Sequence, residues 1–303
     1  MNSFKQFESF SGFTYPWPLT SETILSFISW IFSKKNLKSS TVDSYLTSLK
    51  FIHSLKNLPT SSFNNQLIKT VLRGKENLEI YSGEANATRK VMTLSLLKIT
   101  GHEISKTNWT ENSKQTVWAA FTLAFFGCFR MGEILPQNEN SFSPEDTLLW
   151  RDLNFKSTSH ILVHIKTPKS RLPRGEYVDI FNFTGHSVCP VAALSRLKDS
   201  LGSPDPDSPV FRFSTGVCLT RRHVNSLLPQ LLSPHIGKEA ENVSGHSFRA
   251  GIPAALASHP ELATSSDIMG WGRWRSDAYL TYTRLKLEQK KNTFSKISDI
   301  LNK

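Results

Sequence analysis

At 303 residues, 39% of them hydrophobic, the chain is long enough for two domains with cores of their own, and the lack of any run of eighteen or more apolar residues excludes a membrane-spanning helix. Thirty-six Lys and Arg against twenty-five Asp and Glu leave a net charge of +11, which favours a polyanionic partner, since each basic group set against a phosphate releases condensed counterions. Three widely spaced cysteines, Cys128, Cys189 and Cys218, exclude a disulfide framework and a four-cysteine zinc site and read as reduced, buried thiols.

The opening MNSFKQFESFSGF lacks the basic start and apolar core of a secretory signal, so an intracellular protein is expected. Ile24, Leu25, Phe27, Ile28, Ile31 and Phe32 recur at helical spacing and predict an amphipathic helix from Thr20 to Phe32. Ser40 with Asp43 has the form of a capping box, and Val42, Tyr45, Leu46, Leu49 and Ile52 line one face of the helix it opens, which Leu58-Pro59 ends. A short helix around Gln66 to Leu72 completes a basic helical domain over residues 1–80. Apolar periodicity lapses between Glu79 and Thr93, so a linker is expected over 81–93 and a second domain over 94–303. In that domain Val117 to Leu135 is apolar nearly all round and predicts one buried helix. Segments 148–154, 160–165 and 176–181, rich in β-branched and aromatic residues, predict a small antiparallel sheet. Helical patterns resume in 223–232, 246–259 and 276–290, giving a fold class that is mainly α with a small antiparallel β-sheet.

Four places carry possible chemistry. In FFGCFRMGEIL, 125–135, Arg130 and Glu133 stand three apart in an apolar stretch; either they form a buried ion pair, or the guanidinium faces a cleft and binds an anion, for which its rigid fork suits phosphate. In HSFRAG, 246–251, His246 and Arg249 share one face of a predicted helix, where a histidine alone could equally cap or fill the core. HIKTPKSRLPRG, 164–175, offers Lys166 and Lys169 on or beside a hairpin, either of which could be merely solvated. GWGRWRSDAYLTYTR, 270–284, places Arg273 and Trp274 nine and eight residues before Tyr282, in a predicted helix that Ser276 could cap; a tyrosine there could be packing, as Tyr279 is read to be.

In this order the parts resemble the tyrosine recombinases, also called phage integrases, over nearly the whole chain. The resemblance implies an N-terminal helical core-binding (SAM-like) domain that clamps DNA, followed by a catalytic domain. It implies that Arg130, His246, Arg249 and Tyr282 take catalytic positions and Glu133 a structural acidic one, with Lys169 favoured over Lys166 as the hairpin lysine. Most members have histidine where this chain has Arg273 followed by Trp274, so which of the two fills the third phosphate-binding position stays open; the wording is more like that of eukaryotic mobile elements than of chromosome-resolving enzymes. The chemistry would be cleavage and rejoining of DNA strands. Arg130 and Arg249 would grip the non-bridging oxygens, His246 accept the tyrosine proton, and Lys169 protonate the departing 5′ oxygen, leaving Tyr282 on the 3′ phosphate. No cofactor, metal or ATP is called for; the expected partners are double-stranded DNA and three further copies of the chain on paired sites, in the nucleus of a eukaryotic host or otherwise in the cytoplasm or nucleoid. A catalytically silent DNA-binding descendant and a type IB topoisomerase-like relaxing enzyme are the alternatives.

Overall fold

The computed structural model describes residues 2–82, 90–166, 175–183, 187–259 and 262–274, and the chain divides into two compact units, Met1–Ala87 and Thr88–Lys303. No helix among the described residues is long and apolar enough to cross a membrane.

The first unit is helical: α1 (Asn2–Ser11), α2 (Ser21–Trp30), α3 (Ser39–Leu55) and α4 (Gln66–Tyr81). Helix α1, which periodicity did not reveal, buries Phe4 and Phe7 against Phe27 and Trp30 of α2. Thr20 caps α2 by accepting from the Thr23 N–H, and the chain continues past Trp30 into a π turn, Ile31–Lys35, that ends on left-handed Asn36. His53 lies fully buried in α3, accepting the Leu19 N–H at Nε2 over 2.9 Å while Nδ1 meets Leu49 O. The Ser40–Asp43 capping box does not form. Helix α3 begins two residues earlier, with Lys38 at its N-cap, and its first donors go to buried Glu79 of α4, which accepts from the Ser39 N–H at 2.8 Å and the Ser39 hydroxyl at 3.2 Å. A carboxylate at a helix N-terminus gains from the dipole as well as from the two bonds, so it displaces the local cap. Helix α4 therefore runs nine residues beyond the predicted Leu72, to Tyr81, the first residue of the expected linker.

The second unit holds α5 (Leu94–Lys106), α6 (Glu111–Phe126), α7 (Met131–Ile134), β1 (Leu153–Ser157), β2 (His160–Ile165), β3 (Glu176–Phe181), α8 (Pro190–Leu201), α9 (Arg221–Ile236), α10 (Gly251–Ala257) and α11 (Ser265–Gly272). Lys90 and Met92 are already part of it, their N–H groups donating to Asn242 O and Ser247 O. Helix α6 is the axis of the core, with every residue from Ala119 to Phe125 buried. The sheet is antiparallel in the order β1-β2-β3, and β2 alternates strictly, with Ile161, Val163 and Ile165 inward. The first strand lies later than the predicted 148–154: Asp152 accepts the Leu149 N–H at 2.8 Å and closes a 3₁₀ turn, Trp150–Asp152, so pairing starts at Leu153.

If Glu79 rather than Ser40 caps α3, Glu79→Ala should destabilise the chain by about 1–2 kcal/mol while Ser40→Ala stays within about 0.5 kcal/mol of wild type. Urea denaturation of the full chain followed by far-UV circular dichroism separates the two.

Candidate active site

The run predicted as one helix from Val117 to Leu135 is broken, and the break builds the site. Helix α6 ends at Phe126; Cys128 turns left-handed at φ 48°, with its N–H on Phe125 O and the Phe129 N–H on Ala124 O, the paired bonds of a Schellman motif. Gly127 makes this possible, because the Phe129 ring lies so close to its Cα that a Cβ would overlap it. Arg130 then has extended backbone and is the N-cap of the one-turn helix α7 rather than a helix-interior residue.

Helix α11 ends in the same way. Arg273 turns left-handed at φ 54°, its N–H on Gly270 O and the Trp274 N–H on Met269 O, and Gly272 leaves room for the Trp274 ring that a Cβ would strike. Glycine occupies such left-handed positions most cheaply; an L-side chain costs about 1 kcal/mol there.

Between these two helix ends lies Arg249, carried by a 3₁₀ turn, Ser247–Ala250, that His246 precedes. Its Nη1 donates to Cys128 O and its Nη2 to Gly272 O, both at 2.8 Å, and the guanidinium carbon sits 5.3 Å from the Trp274 ring centroid. The residue is 2% exposed, and its Nε–H has no hydrogen-bond partner among the described residues. Burial foremost, with repulsion from Arg130, lowers its pKa to about 10, against the pull of Glu133, so it stays protonated at neutral pH. Burial pushes the neighbouring Cys128 thiol up to about 12, which keeps it neutral and unreactive.

Glu133 binds two more guanidinium groups. Its Oε1 accepts from Arg130 Nη1 at 2.7 Å, and its Oε2 accepts from the Arg130 N–H at 3.0 Å and from Arg273 Nη2 at 2.8 Å. Arg273 also donates to Glu176 Oε2 at 3.0 Å and Cys128 O at 3.4 Å, and lies 4.8 Å over the Phe129 ring. Burial by itself would raise the Glu133 pKa, but the Arg273 charge and the bonds from Arg130 and Arg273 outweigh it and hold the carboxyl below its ordinary 4.5. Three guanidinium groups against two carboxylates leave the cluster positive. Arg130 is its open face, with the side chain 31% exposed against 9% for Arg273. A cleft of about 360 Å³ adjoins Arg273, lined by Phe126, Glu176, Tyr177 and Trp271 among others.

The structure thus brings Arg130, Glu133, Arg249, Arg273 and Trp274 to one place, with half-exposed His246 at the turn that bears Arg249. Lys166 is engaged elsewhere, with its ammonium 2.6 Å from Asp152 Oδ2 and donating to Pro144 O at 2.7 Å. Lys169, Ser276, Tyr279 and Tyr282 lie outside the described residues. Glu176 and the carbonyl of Cys128 are members that sequence reasoning missed. A signal was present for the turns: Gly127-Cys128-Phe129 and Gly272-Arg273-Trp274 repeat one pattern, glycine, a variable residue, then an aromatic ring. Among the described residues no three His, Cys, Asp or Glu side chains gather as a metal site would need.

No family model matches the sequence, and no curated protein matches it. Solved structures do. The XerH site-specific recombinase bound to difH substrate matches in its pre-cleavage complex with a TM-score of 0.60 at 12% identity, over 97% of this chain and 76% of that one. Its post-cleavage complex gives 0.62 at the same identity and coverage. The Tn1549 transposon integrase in complex with transposon right end DNA gives 0.60 at 12% identity, over 94% of this chain and 88% of that one. At such identities the likeness is one of fold, and the fold is theirs: mainly helical, with the small antiparallel sheet expected from the sequence.

Two expectations concern stability. Glu133→Gln should cost about 3 kcal/mol at neutral pH, because it leaves buried guanidinium charge without its carboxylate. A carboxyl whose folded pKa is depressed stabilises above its unfolded value, so the wild type should lose this advantage as pH falls below 4.5 and through the folded value, while the glutamine variant lacks that slope; urea midpoints taken across pH test it. Arg273→Gly should melt above Arg273→Ala, since both lose the ion pairs but only glycine relieves a left-handed strain of about 1 kcal/mol.

Proposed function

We propose that this chain is a tyrosine recombinase, a site-specific DNA recombinase or integrase that cleaves and rejoins strands through a 3′-phosphotyrosyl bond to Tyr282. The observation that carries the reading is the convergence of Arg130, Arg249 and Arg273 on one buried turn, in a chain with the fold of known recombinases. Three guanidinium groups held by fixed acceptors form a preorganised positive site, which is what a phosphodiester entering a more highly charged transition state requires. Arg130, half open to solvent, is the first donor to a non-bridging oxygen. The unpartnered Nε–H of Arg249 is the donor a second oxygen would satisfy once the site admits it.

His246, beside Arg249, takes the hydroxyl proton of Tyr282 as that oxygen attacks phosphorus, and Lys169 gives a proton to the leaving 5′ oxygen. Lys169 is favoured over Lys166 because the Lys166 ammonium is committed to Asp152. Sequence distance permits both roles: four residues, at most ~14 Å of chain, separate Lys169 from Ile165, and eight, at most ~28 Å, separate Tyr282 from Trp274. The bond energy is kept in the phosphotyrosyl linkage, so a 5′ hydroxyl from another strand reverses the step without ATP. The basic helical unit would clamp the duplex, and four copies would act on paired sites, in whichever compartment holds the DNA, the nucleus in a eukaryote.

The decisive test uses nicked duplexes, since loss of the short fragment beyond the nick traps the covalent intermediate. A radiolabelled pool with randomised sequence is incubated with wild type and with Tyr282→Phe in the presence of chelator. A denaturant-stable protein–DNA adduct with wild type only is expected. If neither protein forms an adduct from the pool while both bind duplex in a salt-sensitive manner, the silent DNA-binding descendant replaces this reading.

A further inference from the structure

We infer that Glu176 is a positioning residue for strand cleavage, acting through Arg273, and that Arg273 serves this linkage instead of binding phosphate. The inference rests on the recombinase reading above.

Although its Nε–H is buried without a partner among the described residues, as that of Arg249 is, the acids on both Nη atoms leave Arg273 poorly suited to bind a third anion. Nη1 is on Glu176 at 3.0 Å and Nη2 on Glu133 at 2.8 Å, so one guanidinium already faces two carboxylates, and an approaching phosphate would meet their combined negative charge. One face of its guanidinium is covered by the Phe129 ring, and the side chain is 9% exposed. Its backbone is left-handed, at a helix end where glycine costs least. An arginine that tolerates this strain is held there by what its side chain joins.

What it joins is the rest of the cluster. Through Glu133 it fixes Arg130, whose Nη1 shares that carboxylate at 2.7 Å; through Cys128 O it shares an acceptor with Arg249. Glu176 is the anchor at the far end. It is the first residue of β3, paired in register with Ile165 of β2, so its backbone is set by the sheet and its carboxylate is a fixed point for Arg273. The sheet thereby sets the position of Arg130, by way of Glu176, Arg273 and Glu133. At the motif position where histidine is usual, the larger, bidentate guanidinium spans two acids that a histidine could not reach together.

The two roles of Arg273 predict opposite signs for Glu176→Gln. If Arg273 binds phosphate, removing a competing negative charge frees Nη1, and both duplex affinity and cleavage rise. If Glu176 positions the cluster, single-turnover adduct formation on a reactive nicked duplex falls by roughly 10- to 100-fold, the scale of a misplaced catalytic group, while duplex affinity by fluorescence anisotropy holds or tightens. Arg273→Lys, which keeps the charge but not the fork, should lose a similar factor, and adding Glu176→Gln to it should cost little more. Thermal melts verify that each variant is folded. Cleavage by Glu176→Gln at or above the wild-type rate, or its full penalty persisting beside Arg273→Lys, overturns the inference alone. A wild type that forms no adduct overturns the recombinase reading and this inference with it.

Discussion

A guanidinium buried between two helix ends is the constraint on which the second unit is built. Withdrawing the Arg249 charge from water costs several kcal/mol, and its direct hydrogen-bond acceptors are backbone carbonyls, Cys128 O and Gly272 O, with Glu133 acting on it at longer range. These carbonyls suit the task because they stand at the C-terminal ends of α6 and α11, where the last carbonyls lack partners within the helix and the dipole is negative. For both to face one arginine, α6 must stop at Phe126 and α11 at Gly272, and both chains must then turn left-handed. The two breaks are therefore consequences of one buried charge.

Much of this architecture is legible in the sequence, and the failures share a cause. Alternation places Ile161, Val163 and Ile165 of β2 on the core side, and helical spacing finds α2, because in both cases burial of one face is what the pattern encodes. Periodicity is blind to the break at Gly127, since a helix apolar all round and two buried pieces separated by a turn have the same composition. The information lay instead in a contact between residues two apart, Phe129 against the bare Cα of Gly127. Likewise Ser40 and Asp43 satisfy every local rule for a capping box, yet Glu79, some forty residues on, wins because a buried carboxylate that meets two Ser39 donors must keep them. Periodicity and capping rules report the preference of one face or one segment; the break is decided by a close contact within three residues, and the cap by a partner distant along the chain.

The residues marked out by motif divide by the same logic. Arg130, Glu133 and Arg249 are legible because their types and spacings carry the chemistry with them, and the structure brings them into one cluster. Glu176 opens a strand that reads as ordinary, and although alternation sets its carboxylate on the opposite face from that of Asp179, three positions further on, which pairs with His160, nothing in EYVDIF says what it will meet. Only the register of β3 on β2, combined with the end of α11, directs one acid to Arg273 and the other to a histidine.

Two carboxylates inside a site proposed for an anionic substrate look self-defeating in a chain of net charge +11. They are intelligible if affinity and geometry are supplied by different parts of the molecule. Counterion release along a basic surface gives duplex affinity without demanding precision, whereas transition-state stabilisation demands donors already aimed. Three guanidinium groups brought together without acids would repel one another and scatter among rotamers; Glu133 and Glu176 fix two of them and reduce that repulsion, and Arg249 is fixed by carbonyls. The acids lower the attraction for phosphate, which the rest of the surface can supply, and in return remove the reorganisation that cleavage would otherwise have to include in its barrier.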